Sequence, residues 1–100
     1  MLQLRAFGPN LIKKTYLVAR ESSRQAFYTI WMESCADGFR VCKESGGGKK
    51  VWDRRAWDFK SLDEAEKAYN HRINEKTNPS RKSKRKYSLL RAEDKVIENA

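Results

Sequence analysis

Residues 26–34 read Ala-Phe-Tyr-Thr-Ile-Trp-Met-Glu-Ser, and alternation places Phe27, Thr29 and Trp31 on one side of a strand and Tyr28, Ile30 and Met32 on the other. Large apolar side chains on both sides require cover on both sides, so this strand belongs in the interior of a sheet. A chain of 100 residues can build one modest core around such a strand and no second one. Mean hydropathy is low and 35% of the residues are charged, but three Trp, four Tyr and four Phe supply the apolar bulk that a disordered chain lacks. These aromatics lie almost wholly before residue 70, which puts the core there too.

The flanking segments supply neighbours for that strand. Residues 12–20 are rich in β-formers and precede a polar turn from Glu21 to Gln25. Ala36-Asp37-Gly38 is a hairpin signal, and Phe39 to Glu44 returns as a third strand with Phe39 and Val41 on one face. Ser45-Gly46-Gly47-Gly48-Lys49-Lys50 follows, a loop whose glycines could either cradle a phosphate beside two lysines or simply turn the chain. Its spacing fits neither a P-loop nor a dinucleotide fingerprint. Residues 51–59 form a fourth strand, in which Val51, Trp57 and Phe59 share a parity opposed to Trp52. Arg54 and Arg55 then point to opposite faces, leaving one of them for a ligand.

A helix is predicted from Leu62 to about Lys76. Ser61 caps it, Glu64 completes a capping box, and Asp63 adds charge of the favourable sign to the first turn. Leu62, Ala65, Tyr69 and Ile73 make a narrow apolar stripe that should lie on the sheet. Asp63 and Lys67 form an i,i+4 pair, Arg72 and Lys76 sit in the last turns, and Asn78-Pro79 stops the helix. Beyond Ser80 the apolar anchors are few, and the last dozen residues read as a weak helix or frayed tail. The expected fold is therefore α+β: a twisted antiparallel sheet of about four strands with one main helix packed on one face. Tyr28, Ile30, Met32, Phe39 and Trp52 would need cover on the other face, from the N-terminal residues or the C-terminal segment. Residues 1–11 form an N-terminal segment, 12–90 the domain and 91–100 a C-terminal tail.

Charge narrows the function. The formal net charge is +9, and Arg81, Lys82, Lys84, Arg85 and Lys86 fall within six consecutive positions. That density suits a polyanion. No segment is apolar enough to cross a bilayer or serve as a secretory signal, so the expected location is cytoplasmic and no membrane partner is expected. Cys35 and Cys42 fit a reducing compartment. With a tight turn at 36–38, Cys42 lies opposite Met32 or Glu33, too far along the strand from Cys35 for a disulfide. No His or Cys completes a metal spacing, no nucleophile is activated, and no cofactor or metal is expected. His71, the only histidine, lies on the polar side of the helix four residues before Glu75 and reads as a surface side chain. The chain is thus expected not to be an enzyme.

The order of pieces resembles the WGR domain. The resemblance rests on Phe27-Tyr28-Thr29-Ile30, a hairpin, a glycine-containing loop and a strand ending at Phe59. It continues through Ser61-Leu62-Asp63-Glu64-Ala65-Glu66-Lys67-Ala68-Tyr69, Glu75-Lys76-Thr77 and Lys86-Tyr87. It spans roughly residues 15–89. The chain departs from the family at the motif that names it, because Val41-Cys42-Lys43-Glu44-Ser45-Gly46 stands where Trp-Gly-Arg is expected. In that family the domain accompanies poly(ADP-ribose) polymerases and contacts DNA near breaks, and it also occurs in bacterial proteins. The resemblance implies the fold and, more weakly, a nucleic-acid or docking role, but not the contacts of the missing motif.

Residues and resemblance together predict a non-catalytic module that binds nucleic acid, DNA ahead of RNA, with low specificity. The expected contacts are Lys49, Lys50, Arg54, Arg55, Lys76, Arg81, Lys82, Lys84, Arg85 and Lys86. Exposed Trp52, Trp57 or Tyr87 could add base stacking. Tyr87 is expected to anchor the basic run against the domain as a tethered loop. The alternative is a docking module that recognises an acidic protein partner. The sequence leaves the oligomeric state open.

Overall fold

The computed structural model describes residues 10–20, 23–78, 80 and 87–94. Its elements in chain order are β1 (Leu11–Val18), β2 (Ala26–Cys35), β3 (Gly38–Gly47), β4 (Lys50–Phe59), α1 (Leu62–Thr77) and β5 (Ser88–Asp94). All five strands join one antiparallel sheet in the order β4-β3-β2-β1-β5. The fold is α+β, and β2 is its central strand, as the two-sided apolar pattern requires. The sheet has five strands where about four were expected, because Ser88–Asp94 pairs along β1 and is neither helix nor frayed tail. The sheet therefore continues past the domain boundary expected at residue 90.

The helix lies on the face opposite to the one expected. Tyr28, Ile30 and Met32 turn toward α1, and the register puts Leu17 opposite Tyr28 and Val41 opposite Met32 on the same face. Tyr28, Leu17, Ile30, Met32 and Val41 are the largest fully buried side chains, and each of the four aliphatic ones contributes about 1.5–3 kcal/mol through burial. Ala65 and Tyr69 close this core from the helix, with Ile73 at its margin, whereas Leu62 is 43% exposed and lies outside the stripe assigned to it. The Tyr69 hydroxyl adds polar contacts to this seating. It shares a 2.6 Å hydrogen bond with the Thr15 Oγ1 and donates to the Ile30 carbonyl.

The helix ends have local causes. Ser61 is extended and its hydroxyl accepts the Glu64 N–H at 3.2 Å, a cap that stabilises by about 1 kcal/mol. Asn78, which precedes Pro79 in the sequence, is again extended and ends the helix. On the other face of the sheet, Phe27, Thr29 and Trp31 meet Val18, Tyr16 and Lys14 of β1 and Gly46, Glu44 and Cys42 of β3. The turn Ala36–Asp37 is two residues long, so Cys42 falls opposite Trp31, not Met32 or Glu33. Both cysteines are free, and burial, followed by the charge of Glu33, pushes the Cys42 thiol up to about 12.

A register shift between Ser45 and Gly46 changes the parity of β4. Asp53, Arg55, Trp57 and Phe59 share the helix face, while Val51 pairs with Gly46 and leaves the set predicted for it. Among the described residues no helix is long and apolar enough to cross a membrane.

Candidate nucleic-acid interface

An antiparallel meander returns every second connection to the same end of the sheet. Here that end collects the turn after β1, the hairpin between β3 and β4, the C-terminus of α1 and the start of β5. Lys49 and Lys50 are exposed in the hairpin, and Arg20 and Arg24 in the turn. Gly48 holds a positive φ of 60°, and its N–H donates to the Gln25 carbonyl, joining hairpin and turn. Lys76 comes from the last turn of α1, with its Nζ 5.0 Å from the Tyr28 ring centroid.

The chain is held on either side of the basic run. Arg81, Lys82, Lys84, Arg85 and Lys86 lie outside the described residues, but the chain on either side of them is placed. The Tyr87 N–H donates to the Lys76 carbonyl at 3.2 Å, and the buried Tyr87 ring packs edge-on against Tyr28 at 6.0 Å. Ser80 is held by the Asn78 side chain at 2.9 Å. Both ends of the segment are therefore fixed beside the helix terminus, with Tyr87 as the anchor.

Behind this closure lies a cluster that composition alone does not reveal. Lys43 is 8% exposed, and its Nζ donates to the Asp53 carboxylate at 2.6 Å and to the Ser45 hydroxyl at 3.0 Å. Its hydrogen bond to Asp53 holds that carboxyl below the usual carboxylate range, and Arg55 adds to the effect at 3.3 Å. Arg72 stacks on the Trp57 ring at 3.7 Å. Burial pushes the Tyr28 phenol above its ordinary range, with the charge of Arg72 acting against it. Arg54, on the opposite face, pairs with Glu44 at 2.7 Å and is well exposed.

The predicted residues thus separate into groups. Lys49, Lys50 and Lys76 share one end with the fixed base of the basic run. Arg55 lies on the helix face of β4 and pairs with Asp53, the carboxylate that Lys43 also holds, whereas Arg54 lies on the opposite face. Sequence reasoning missed Arg24, Lys43 and Arg72. The approach of Lys43 to the Tyr28 ring, at 5.5 Å, and of Arg72 to the Trp57 ring becomes legible only once the register of the sheet and the seating of α1 are known. The far end of the domain has the opposite character. Asp37, Asp58, Asp63, Glu64 and Glu66 gather there, partly offset by Lys60 and Lys67 and partly matched by Lys13 with Glu66 and Arg40 with Asp58, both at 2.7 Å.

The remaining sheet face is a poor stacking platform. Lys14, 6% exposed, lies over both the Tyr16 and the Trp31 rings, and Arg91 covers Tyr16 at 4.4 Å. The Trp31 Nε1 donates to Glu33. His71 is exposed on α1, and no group of three or more potential metal ligands occurs among the described residues. Comparison with known protein families, curated proteins and solved structures finds no match for this chain.

Proposed function

We propose that the chain is a non-catalytic nucleic-acid-binding module that takes DNA ahead of RNA with low sequence specificity. The observation that carries this reading is the gathering of three basic connections at one end of the sheet, away from the acidic end. Lys49, Lys50 and Lys76 form the described part, and the sequence places Arg81, Lys82, Lys84, Arg85 and Lys86 between Ser80 and Tyr87, which are held beside the helix terminus. Such a surface attracts a phosphate backbone by displacing condensed counterions, without reading bases. The WGR-like order of sequence pieces supports the same reading, and membership of that family is part of the proposal.

The test is binding of the full chain to a random-sequence duplex across a range of salt. If about four phosphates are engaged, log affinity falls against log salt with a slope of roughly −3 to −4. Neutralising Arg81, Lys82, Lys84, Arg85 and Lys86 together should remove most of the binding and flatten the slope. Absence of duplex binding even at low salt overturns the reading. One observation favours a protein-docking module instead: Leu89 and Leu90 are more than half exposed on β5, an edge strand that could accept a partner, and the acidity of that partner would follow from the net charge alone.

A further inference from the structure

The geometry points to Trp52 as a stacking site for an unpaired nucleobase, which would make single-stranded nucleic acid a ligand of the basic end. This inference rests on the nucleic-acid reading and names the part of the ligand that the charges do not read.

Of the three tryptophans, Trp52 is the exposed one, whereas Trp31 and Trp57 are half-buried. Trp31 is covered by Lys14 and tied to Glu33, and Trp57 carries Arg72 at 3.7 Å. Trp52 is 42% exposed and has the Arg24 guanidinium 5.9 Å from its ring centroid. The register shift between Ser45 and Gly46 sets Trp52 at the irregular step of β4. Its indole lies against Gly47 so closely that a Cβ there would overlap the ring. Gly47 therefore serves as a flat backbone support for the tryptophan. This is a different use of the glycine run from either phosphate cradling or simple turning.

The two loops at this end of the sheet carry side chains that suit a nucleotide. Arg20, Arg24, Lys49 and Lys50 are exposed on the two joined loops, and the Gly48-to-Gln25 hydrogen bond fixes those loops relative to each other. Glu21 is the one carboxylate that the sequence places in either loop, and Asp53, the nearest on β4, is engaged by Lys43. An open cleft of about 390 Å³ runs along Val51, Trp52, Asp53 and Arg54. A base entering beside the indole would contact a π-face and present its phosphate to Lys49 or Lys50. Stacking of this kind tolerates any base and requires that the base be unpaired.

The experiment compares a labelled oligothymidylate with a duplex of equal length, using the full chain and its Trp52→Ala, Trp52→Phe and Lys49→Gln/Lys50→Gln variants. Circular dichroism confirms that each variant is folded. Trp52→Ala should weaken single-strand binding about tenfold and leave duplex binding nearly unchanged, and Trp52→Phe should retain most of it. The double lysine variant should weaken both. If the wild-type chain binds the single strand and Trp52→Ala binds it equally well, or loses both ligands in parallel, the stacking assignment is overturned and the broader reading survives. If the wild-type chain binds neither ligand, the broader reading fails and the stacking assignment falls with it.

Discussion

Tyr69 carries more of the tertiary specificity than its size suggests. Its ring belongs to the apolar stripe of α1, but its hydroxyl is buried and needs a partner, and β1 and β2 supply Thr15 and the Ile30 carbonyl. Tyr69→Phe should destabilise the domain by about 1–2 kcal/mol in urea unfolding, because Thr15 keeps a buried hydroxyl that has lost its partner. Adding Thr15→Val should recover part of that loss, since removing both polar groups of a buried pair costs less than removing one. Strict additivity of the two changes would show that the hydroxyls are not coupled. This residue also explains why the helix face was not legible beforehand. Both sides of residues 26–34 are apolar, so alternation fixes two faces without ranking them. The ranking comes from the residues that register places across from β2, with the hydroxyl of Tyr69 adding polar contacts.

The hairpin between β3 and β4 concentrates three different demands for glycine into three consecutive positions. Gly48 has open space around its α-carbon but a φ of 60°, so Gly48→Ala should cost about 1 kcal/mol of left-handed strain and leave the hairpin intact. A Cβ at Gly46 would overlap the Lys50 carbonyl oxygen and sit 2.9 Å from both the Phe27 ring and the Val51 Cα, so Gly46→Ala should cost clearly more. Thermal unfolding of the two variants checks the order, and equal losses would contradict it. A glycine run in sequence identifies a turn, but it cannot show that Gly46 and Gly47 are strand residues pressed by neighbouring atoms. For β1 to β4 and α1, alternation, the Asp37-Gly38 signal and the Ser61 cap located each element within a few residues. Strand β5 was missed because Leu89 and Leu90 are adjacent and exposed, giving no alternation to read. Its existence depends on pairing with β1, some seventy residues earlier.

At the scale of the molecule, topology turns a modest charge excess into a polar distribution. The basic residues of the hairpin, the first turn and the helix terminus would be scattered in an extended chain, and the meander brings them to one end. The strand directions in the sequence already contained this result, but the contribution of α1 followed only from its seating, with Lys76 over Tyr28 and Tyr87 closed onto Lys76. An attraction set by total charge would be indifferent to where the charges lie, whereas a defined end makes position matter. Lys60→Gln/Lys67→Gln, at the acidic end, removes the same formal charge as Lys49→Gln/Lys50→Gln. The first pair should leave duplex affinity and its salt slope nearly as in the wild type. The second should lower affinity and reduce the slope by about one to two if one or two phosphate contacts are lost. Equal effects of the two pairs, measured by fluorescence anisotropy at matched ionic strength, would mean that net charge alone accounts for binding. A difference confined to the hairpin pair would locate the contact at the end that holds the hairpin, the last turn of α1 and the buried Tyr87.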